Sequence, residues 1–391
     1  MIQVDRDYVI RTLADLVRIN SINPTITPGG AGEHEIASYA AESMRRCGLA
    51  AELHSHAPGR TTVVGTLAGS GGGRSLLLDA HLDTVGVEGM TDPFSAEIRD
   101  GRLYGRGAYD MKNGMAAGMA AAKALADAGV TLGGDLLVAG VADEEYASAG
   151  TTALVEMHRA GRLRADGAIV TEPTALAVCL AHKGYLWIEV ETVGKAAHGS
   201  KFELGVDANM RMGRFLARLE GLERDLRARP PHPLLGPPSL HAAMIAGGTG
   251  LSTYAASCRL QVERRTVPGE TESQATREIQ SILDRLAVED TGFRASARCY
   301  FAREPFEVSR EAPIVRAVAQ AAGEVLGGQP AYIGDTPWMD AALLAAAGIE
   351  TVVIGAAGAG AHATEEFADI ESVVQLARIL AESALHYCGR A

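Results

Sequence analysis

Four times between Leu76 and Glu172, a short apolar run ends in a cluster of His, Asp or Glu. The runs read L-L-L-D-A-H-L-D-T-V, G-R-G-A-Y-D-M-K-N-G, L-L-V-A-G-V-A-D-E-E and A-I-V-T-E-P. They present His81, Asp83, Asp110, Glu144, Glu145 and Glu172. A Leu- or Val-rich run without alternation, bounded by Gly and polar residues, is the pattern of a parallel strand buried on both faces. In open α/β sheets, ligands gather just past the carboxyl ends of such strands. The expected fold class is therefore α/β with a central, mostly parallel sheet, and groups distant in sequence are expected to converge in one crevice. His362 follows the run T-V-V-I and arrives at a strand end like the others.

With 391 residues the chain exceeds one simple core, so two domains are expected. The texture changes near Ala181. Leu186, Ile188 and Val190 alternate with Trp187, Glu189 and Glu191, as in a half-exposed antiparallel strand. Helical and alternating segments follow: Asp207 to Arg227, Ser257 to Thr266, Glu272 to Ala287 and Arg294 to Phe301. Their order resembles a ferredoxin-like β-α-β-β-α-β unit. The reading assigns residues 1–180 and 298–391 to one domain, which carries the acidic strand ends, and residues 181–297 to an inserted α+β domain.

Net charge is −12, which argues against a nucleic-acid or anionic-membrane partner, since either would call for a basic face. The cysteines Cys47, Cys179, Cys258, Cys299 and Cys388 form no C-x-x-C pair, so free thiols in a reducing compartment are expected. The opening residues M-I-Q-V-D-R-D-Y are charged where a signal peptide needs an apolar core. The longest low-polarity stretch, Gly114 to Ala126, is broken by Lys123 and falls short of the ~20 apolar residues of a membrane span. A cytoplasmic protein is expected.

Each acidic or imidazole group has a structural reading of its own. His81 fits a satisfied core histidine, Asp83 and Asp110 fit turn or helix-cap residues, Glu144-Glu145 a solvated turn, and Glu172 a surface loop before Pro173. Jointly these readings fail, because each strand end would need an unrelated reason for a ligand-type group. Gathering several carboxylates without a cation would also force some of them to hold protons. Mixed oxygen and imidazole donors suit divalent transition metals, zinc first. The expected arrangement is a two-metal site. His81 and Glu172 hold one ion, Glu145 and His362 the other, and Asp110 bridges them. Asp83, two residues beyond His81, is expected to accept the second imidazole N–H and fix the ring. Glu144 is left as a general base for a metal-activated water, which is the chemistry of amide hydrolysis.

With D-A-H-L-D-T-V, G-R-G-A-Y-D-M-K, the Glu144-Glu145 pair, Thr171-Glu172-Pro173 and His362 followed by Glu365-Glu366-Phe367, the chain resembles a family of co-catalytic zinc peptidases. This is the aminoacylase, acetylornithine deacetylase, succinyl-diaminopimelate desuccinylase and glutamate carboxypeptidase family. The likeness runs nearly end to end. It implies the same five ligands, Asp83 as orienting carboxylate and Glu144 as base. It also implies that the insert is a dimerisation or lid domain. His198, in K-A-A-H-G-S, would reach the neighbouring subunit's site and stabilise the oxyanion. Arg265, in E-R-R-T-V-P-G-E, would grip a substrate carboxylate. Ser252 stands where the family commonly has Asn, Asn113 where it has Gly, and Trp338 is unusual in the segment resembling the substrate-wall loop. The expected function is a dimeric, Zn- or Co-dependent hydrolase of N-acyl amino acids, acetylornithine deacetylase-like. A dipeptidase or carboxypeptidase using the same site is the nearest alternative. A catalytically silent metal or small-molecule binder is disfavoured, because it has no use for Glu144.

Overall fold

The computed structural model describes residues 1–391, which divide into two compact units. The first comprises Met1–Leu180, Val308–Ile333 and Met339–Ala391; the second comprises Ala181–Glu307 and Gly334–Trp338. The second unit runs past residue 297 because its last strand, Ala295–Arg303, continues pairing with Gly184–Val193 as far as Arg303 opposite Tyr185.

The first unit is built on a sheet whose central strands, Leu136–Val141, Leu76–His81, Gly167–Val170 and Glu350–Val353, lie side by side and parallel. Their residues are almost all buried, which is why the sequence shows unbroken Leu and Val runs there rather than alternation. Arg60–Leu67 and Ala50–Ala57 extend one edge in antiparallel fashion. The neighbours of Leu76–His81 are Leu136–Val141 on one side and Gly167–Val170 on the other, so the chain crosses over in opposite directions from this strand. A crevice opens past the carboxyl ends at such a point.

Helix Lys112–Asp127 is rich in Ala, Gly and Met, and most of it is buried among the sheet and helices Arg6–Arg18 and Ile370–Cys388. Its small side chains permit the close approach. A Cβ at Gly114 would lie 2.2 Å from the Thr171 hydroxyl, so a bulkier residue there would push the helix off the strand that delivers Glu172. A small sheet completes the unit, with Gly358–Ala359, Phe367–Asp369, Arg102–Tyr104 and Glu97–Arg99 in that order. It places Phe367 opposite Tyr104, and thereby sets the His362 loop beside the segment leading to Asp110. No helix is long and apolar enough to cross a membrane.

The second unit is a four-stranded antiparallel sheet in the order Ser239–Gly247, Ser257–Thr266, Gly184–Val193, Ala295–Arg303. Helices Ala208–Arg227 and Glu272–Glu289 cover one face. The alternation noted above is the reason: Leu186, Ile188 and Val190 point under the helices against Phe215, Leu260, Ile279 and Leu283. Along the chain this is the β-α-β-β-α-β order. The strand Ser239–Gly247 forms an edge and is exposed along most of its length.

Candidate active site

The parallel strands deliver their acids as the crevice geometry demands. His81 ends its strand, Glu144 and Glu145 follow Val141, and Glu172 follows Val170. Asp110 closes the turn before helix Lys112–Asp127, and His362 sits in the left-handed region (φ 59°) on the loop between two short strands. The structure brings these six side chains together. His81 Nε2 lies 3.1 Å from Asp110 Oδ1 and 3.7 Å from Glu172 Oε1. His362 Nε2 lies 3.4 Å from Asp110 Oδ2 and 3.0 Å from Glu145 Oε2. Asp110 thus turns one oxygen to each imidazole. Donor atoms of His81, Glu144 and Glu172, and of His81, Asp110 and Glu145, each fall within 4.8 Å of one another.

Asp83 is arranged differently from expectation. The His81 Nδ1–H donates to the Asp83 backbone carbonyl (2.9 Å), while the nearer carboxylate oxygen stands off at 3.7 Å. The ring is still oriented with Nε2 facing the cluster. The chain has left the strand at His81, so the carboxylate of Asp83 turns to the next strand end, where it accepts the backbone N–H of Glu144 (3.0 Å) and of Glu145 (3.2 Å). It also accepts from Asn23 Nδ2 at 2.8 Å. Asp83 therefore fixes the Glu144-Glu145 turn.

A buried network stands behind that turn and was not read from sequence. Arg60 pairs with Glu33, with Asp143 at 2.6 Å and with Asn23 Oδ1 at 2.5 Å, and Asn23 Nδ2 also reaches Asp143 at 3.0 Å. Asp143, with φ 72°, is the residue that launches Glu144. The first acid in A-D-E-E was the available signal for Asp143; a lone Arg after Gly59 carried none. Asn113, where the resemblance expects Gly, donates to the carbonyls of Ala108 (2.9 Å) and Tyr109 (2.5 Å) and so braces the turn that carries Asp110. Lys112 is fully buried, donates to Leu16 and Ile19 carbonyls at 3.0 and 2.8 Å, and is pushed down to about 7 by burial.

The electrostatics are those of an anionic pocket. Burial raises the Glu144 and Glu172 carboxyls well above their ordinary range, Glu144 further because of Glu172. Burial by itself depresses the His81 imidazole, but its hydrogen bond to Asp110 and the charges of Glu172 and Glu144 carry it well above its usual value. Hydrogen bonds to Asp110 and Glu145 lift His362 to about 10. Burial opposes the charge on Asp110, yet hydrogen bonds from both imidazoles hold its carboxyl below the ordinary range. Protons thus stand in for positive charge that the cluster demands. An imidazole and carboxylate donor set with no thiol fits divalent transition-metal ions.

Arg265, His198, Ser252 and Trp338 belong to the second unit. Arg265 Nε donates to Glu263 at 2.7 Å and its guanidinium lies 5.0 Å over the Tyr185 ring. His198 is exposed, bridged to Thr253, with its Nδ1 2.8 Å from the Ser200 hydroxyl; Ser252 is also exposed and accepts from the Gly199 N–H at 2.7 Å. Trp338 donates to the Glu304 carbonyl at 3.1 Å and packs edge-on to Tyr185 and His182.

Carboxylates and imidazoles converging beside a parallel sheet suit the metal-dependent hydrolysis of amide bonds. Residues 77–386 match the model of peptidase family M20/M25/M40, and the chain belongs to that family. It is 31% identical over 389 residues to an acetylornithine deacetylase from Myxococcus xanthus, covering 97% of both chains. It is 29% identical to an N-formyl-4-amino-5-aminomethyl-2-methylpyrimidine deformylase from Bacillus subtilis, covering 94% of this chain and 92% of that one. Among solved structures, a dinuclear metal-binding M20 peptidase from Bacillus subtilis superposes with a TM-score of 0.75 at 16% identity, covering 99% of both chains.

Proposed function

We propose that the protein hydrolyses the acyl–nitrogen bond of an N-acyl amino acid, in the manner of an acetylornithine deacetylase, at a centre holding two divalent ions, Zn²⁺ or Co²⁺. The carrying observation is the split of Asp110, one oxygen toward His81 and the other toward His362. His81 and Glu172 would hold one ion, Glu145 and His362 the other, with Asp110 shared. Ions bound there would polarise the attacking water and the amide carbonyl. Glu144 takes a proton from that water and gives it to the departing amine nitrogen. Burial, with the charge of Glu172, raises its carboxyl well above the ordinary range, the direction that strengthens a carboxylate as a base. Asp83 keeps Glu144 in place through its backbone N–H.

Arg265 is assigned to the substrate carboxylate; Glu263 and Tyr185 steady it, and 32% of its side chain remains exposed. His198 is assigned to the oxyanion in the neighbouring subunit's site. Dimer formation through the second unit is supported by its free edge strand, which exposes Met244 (63%) and Ile245 (57%). The location proposed is the cytoplasm, where the free cysteines remain reduced.

A panel of N-acetyl, N-succinyl, N-formyl and N-carbamoyl amino acids against dipeptides tests the assignment. Turnover of the acetyl compounds is expected. Exclusive cleavage of dipeptides would move the function to a peptidase, and exclusive turnover of carbamoyl compounds would replace the amidase reading.

Loading with Zn²⁺ should also release protons near neutral pH. In the metal-free protein hydrogen bonds to Asp110 and Glu145 push His362 up to about 10, the neighbouring carboxylates raise His81 above its ordinary value, and both must be neutral to ligate. Apparent affinity therefore rises with pH. The stabilisation that the metal-free protein draws from protonated His362 runs the other way. It is complete below the unfolded histidine value of about 6.5 and is lost as pH rises through about 10. Calorimetric titration in buffers of different ionisation enthalpy measures the release; zero protons released would contradict the ligand assignment.

A further inference from the structure

Glu366 is 1% exposed and offers no atom to the imidazole and carboxylate cluster, yet it touches most of the turn that carries Asp110. Its Oε1 accepts the backbone N–H of Tyr109 (2.9 Å) and of Asp110 itself (3.0 Å). Its Oε2 accepts the backbone N–H of Gly107 (3.1 Å) and Nη1 of Arg106 (2.6 Å). Its own carbonyl accepts the Gly105 N–H at 3.0 Å, continuing the pairing of Phe367 with Tyr104. One carboxylate thus receives three backbone donors from a single turn plus a guanidinium.

Arg106, 3% exposed, extends the same contact further along the His362 loop and to one other loop. Its Nη2 donates to the carbonyl of Ala363, next to His362, at 2.9 Å. Its Nε donates to the carbonyl of Gly86, on the loop past Asp83, at 3.0 Å. The planar fork has its directions fixed by three partners on two segments, the loop past Asp83 and the loop that carries His362 and Glu366. The turn bearing Asp110 and the loop bearing His362 are therefore joined by one buried ion pair. The strand ends carrying His81 and Glu172 lie outside it.

We propose that Glu366 and Arg106 are positioning residues that set Asp110 against His362, and so govern the ion position built from Asp110, Glu145 and His362, two of whose ligands they hold, more than the one built from His81, Glu172 and the shared Asp110, of which they hold one. The proposal rests on reading those five residues as ligands. Outer partners of metal ligands commonly control affinity by ~10–100-fold, and here the partner acts on the ligand's peptide and not on its side chain. In Glu366→Gln an amide NH₂ must face at least one donor, so the turn loosens although volume is kept. Glu366→Asp keeps the charge on a shorter arm. Arg106→Gln with Glu366→Gln removes both charges together, which spares the fold an unpaired buried ion.

The test is equilibrium dialysis against Zn²⁺ of wild type and these variants, counting only protein shown to be folded by near-ultraviolet circular dichroism. Wild type should bind two ions per chain. Glu366→Gln and the double variant should keep one near wild-type affinity and weaken the second by ~10-fold or more, with Glu366→Asp between them and wild type. Two ions at unchanged affinity in folded variants would overturn the proposal, as would equal loss of both ions. Absence of folded protein even for Glu366→Asp would make the pair a requirement of folding and overturn it too. Fewer than two ions on wild type would instead sink the underlying two-ion reading.

Discussion

Glu144→Ala should bind its ions as the wild type does and lose ~10²-fold or more in kcat. Glu144 stands next to Glu145 on a turn whose backbone N–H groups are pinned by Asp83, so truncating the side chain leaves the path of the chain intact. What is lost is a carboxyl that burial and Glu172 have raised well above its ordinary value, which is the property a proton carrier needs near neutral pH. Because the proton moves in the transition state, kcat and kcat/KM should fall together. Metal analysis of the purified variant separates two roles. Retained ions with lost turnover make Glu144 the base. Ions lost together with activity would make it a ligand alongside His81 and Glu172, with which its oxygens are close enough to share a cation. Wild-type turnover would remove it from the reaction.

Asp110→Asn should be more damaging. The carboxylate gives one oxygen to the His81 side and one to the His362 side, and both imidazoles hold its carboxyl below the ordinary range. An amide keeps one acceptor and aims an NH₂ at the other side. Both ion positions should weaken, and with them several kcal/mol of transition-state stabilisation, so that kcat falls by ~10³-fold. The metal-free variant also removes the first support for protonated His362, whose titration should fall from about 10 toward the ordinary histidine range. A histidine proton-resonance titration reads this directly. An unchanged His362 titration, with full zinc content, would show that the two side chains are independent.

The parallel core was legible because its strands are buried on both faces and three of them lead straight into a ligand-type residue; Leu76–His81 and Leu136–Val141 announce themselves. Ser239–Gly247 was not, since an exposed edge strand reading S-L-H-A-A-M-I-A-G has no side it must keep apolar. Ala50–Ala57 was missed for a similar reason, being an edge with mostly exposed residues. The convergence of His81, Glu145 and Glu172 followed from strand ends; His362, expected at the end of its T-V-V-I strand, instead sits on the loop between Gly358–Ala359 and Phe367–Asp369, and Asp110 comes from the turn before Lys112–Asp127. The duty of Asp83 did not: spacing places a side chain along a strand, but the strand stops at His81 and the chain turns. Arg60, Arg106, Asn23 and Glu366 show the limit more sharply. Nothing local marks a single arginine as buried; its partners lie on other segments, and only the folded chain brings Arg106 to Glu366.

Anomalous diffraction from crystals grown with Zn²⁺ tests the centre itself. Two peaks are predicted, each within bonding distance of a different Asp110 oxygen, one also reached by His81 and Glu172 and the other by Glu145 and His362. A zinc-saturated crystal with no ion at Asp110, or with Asp110 and His362 sharing none, would contradict the account.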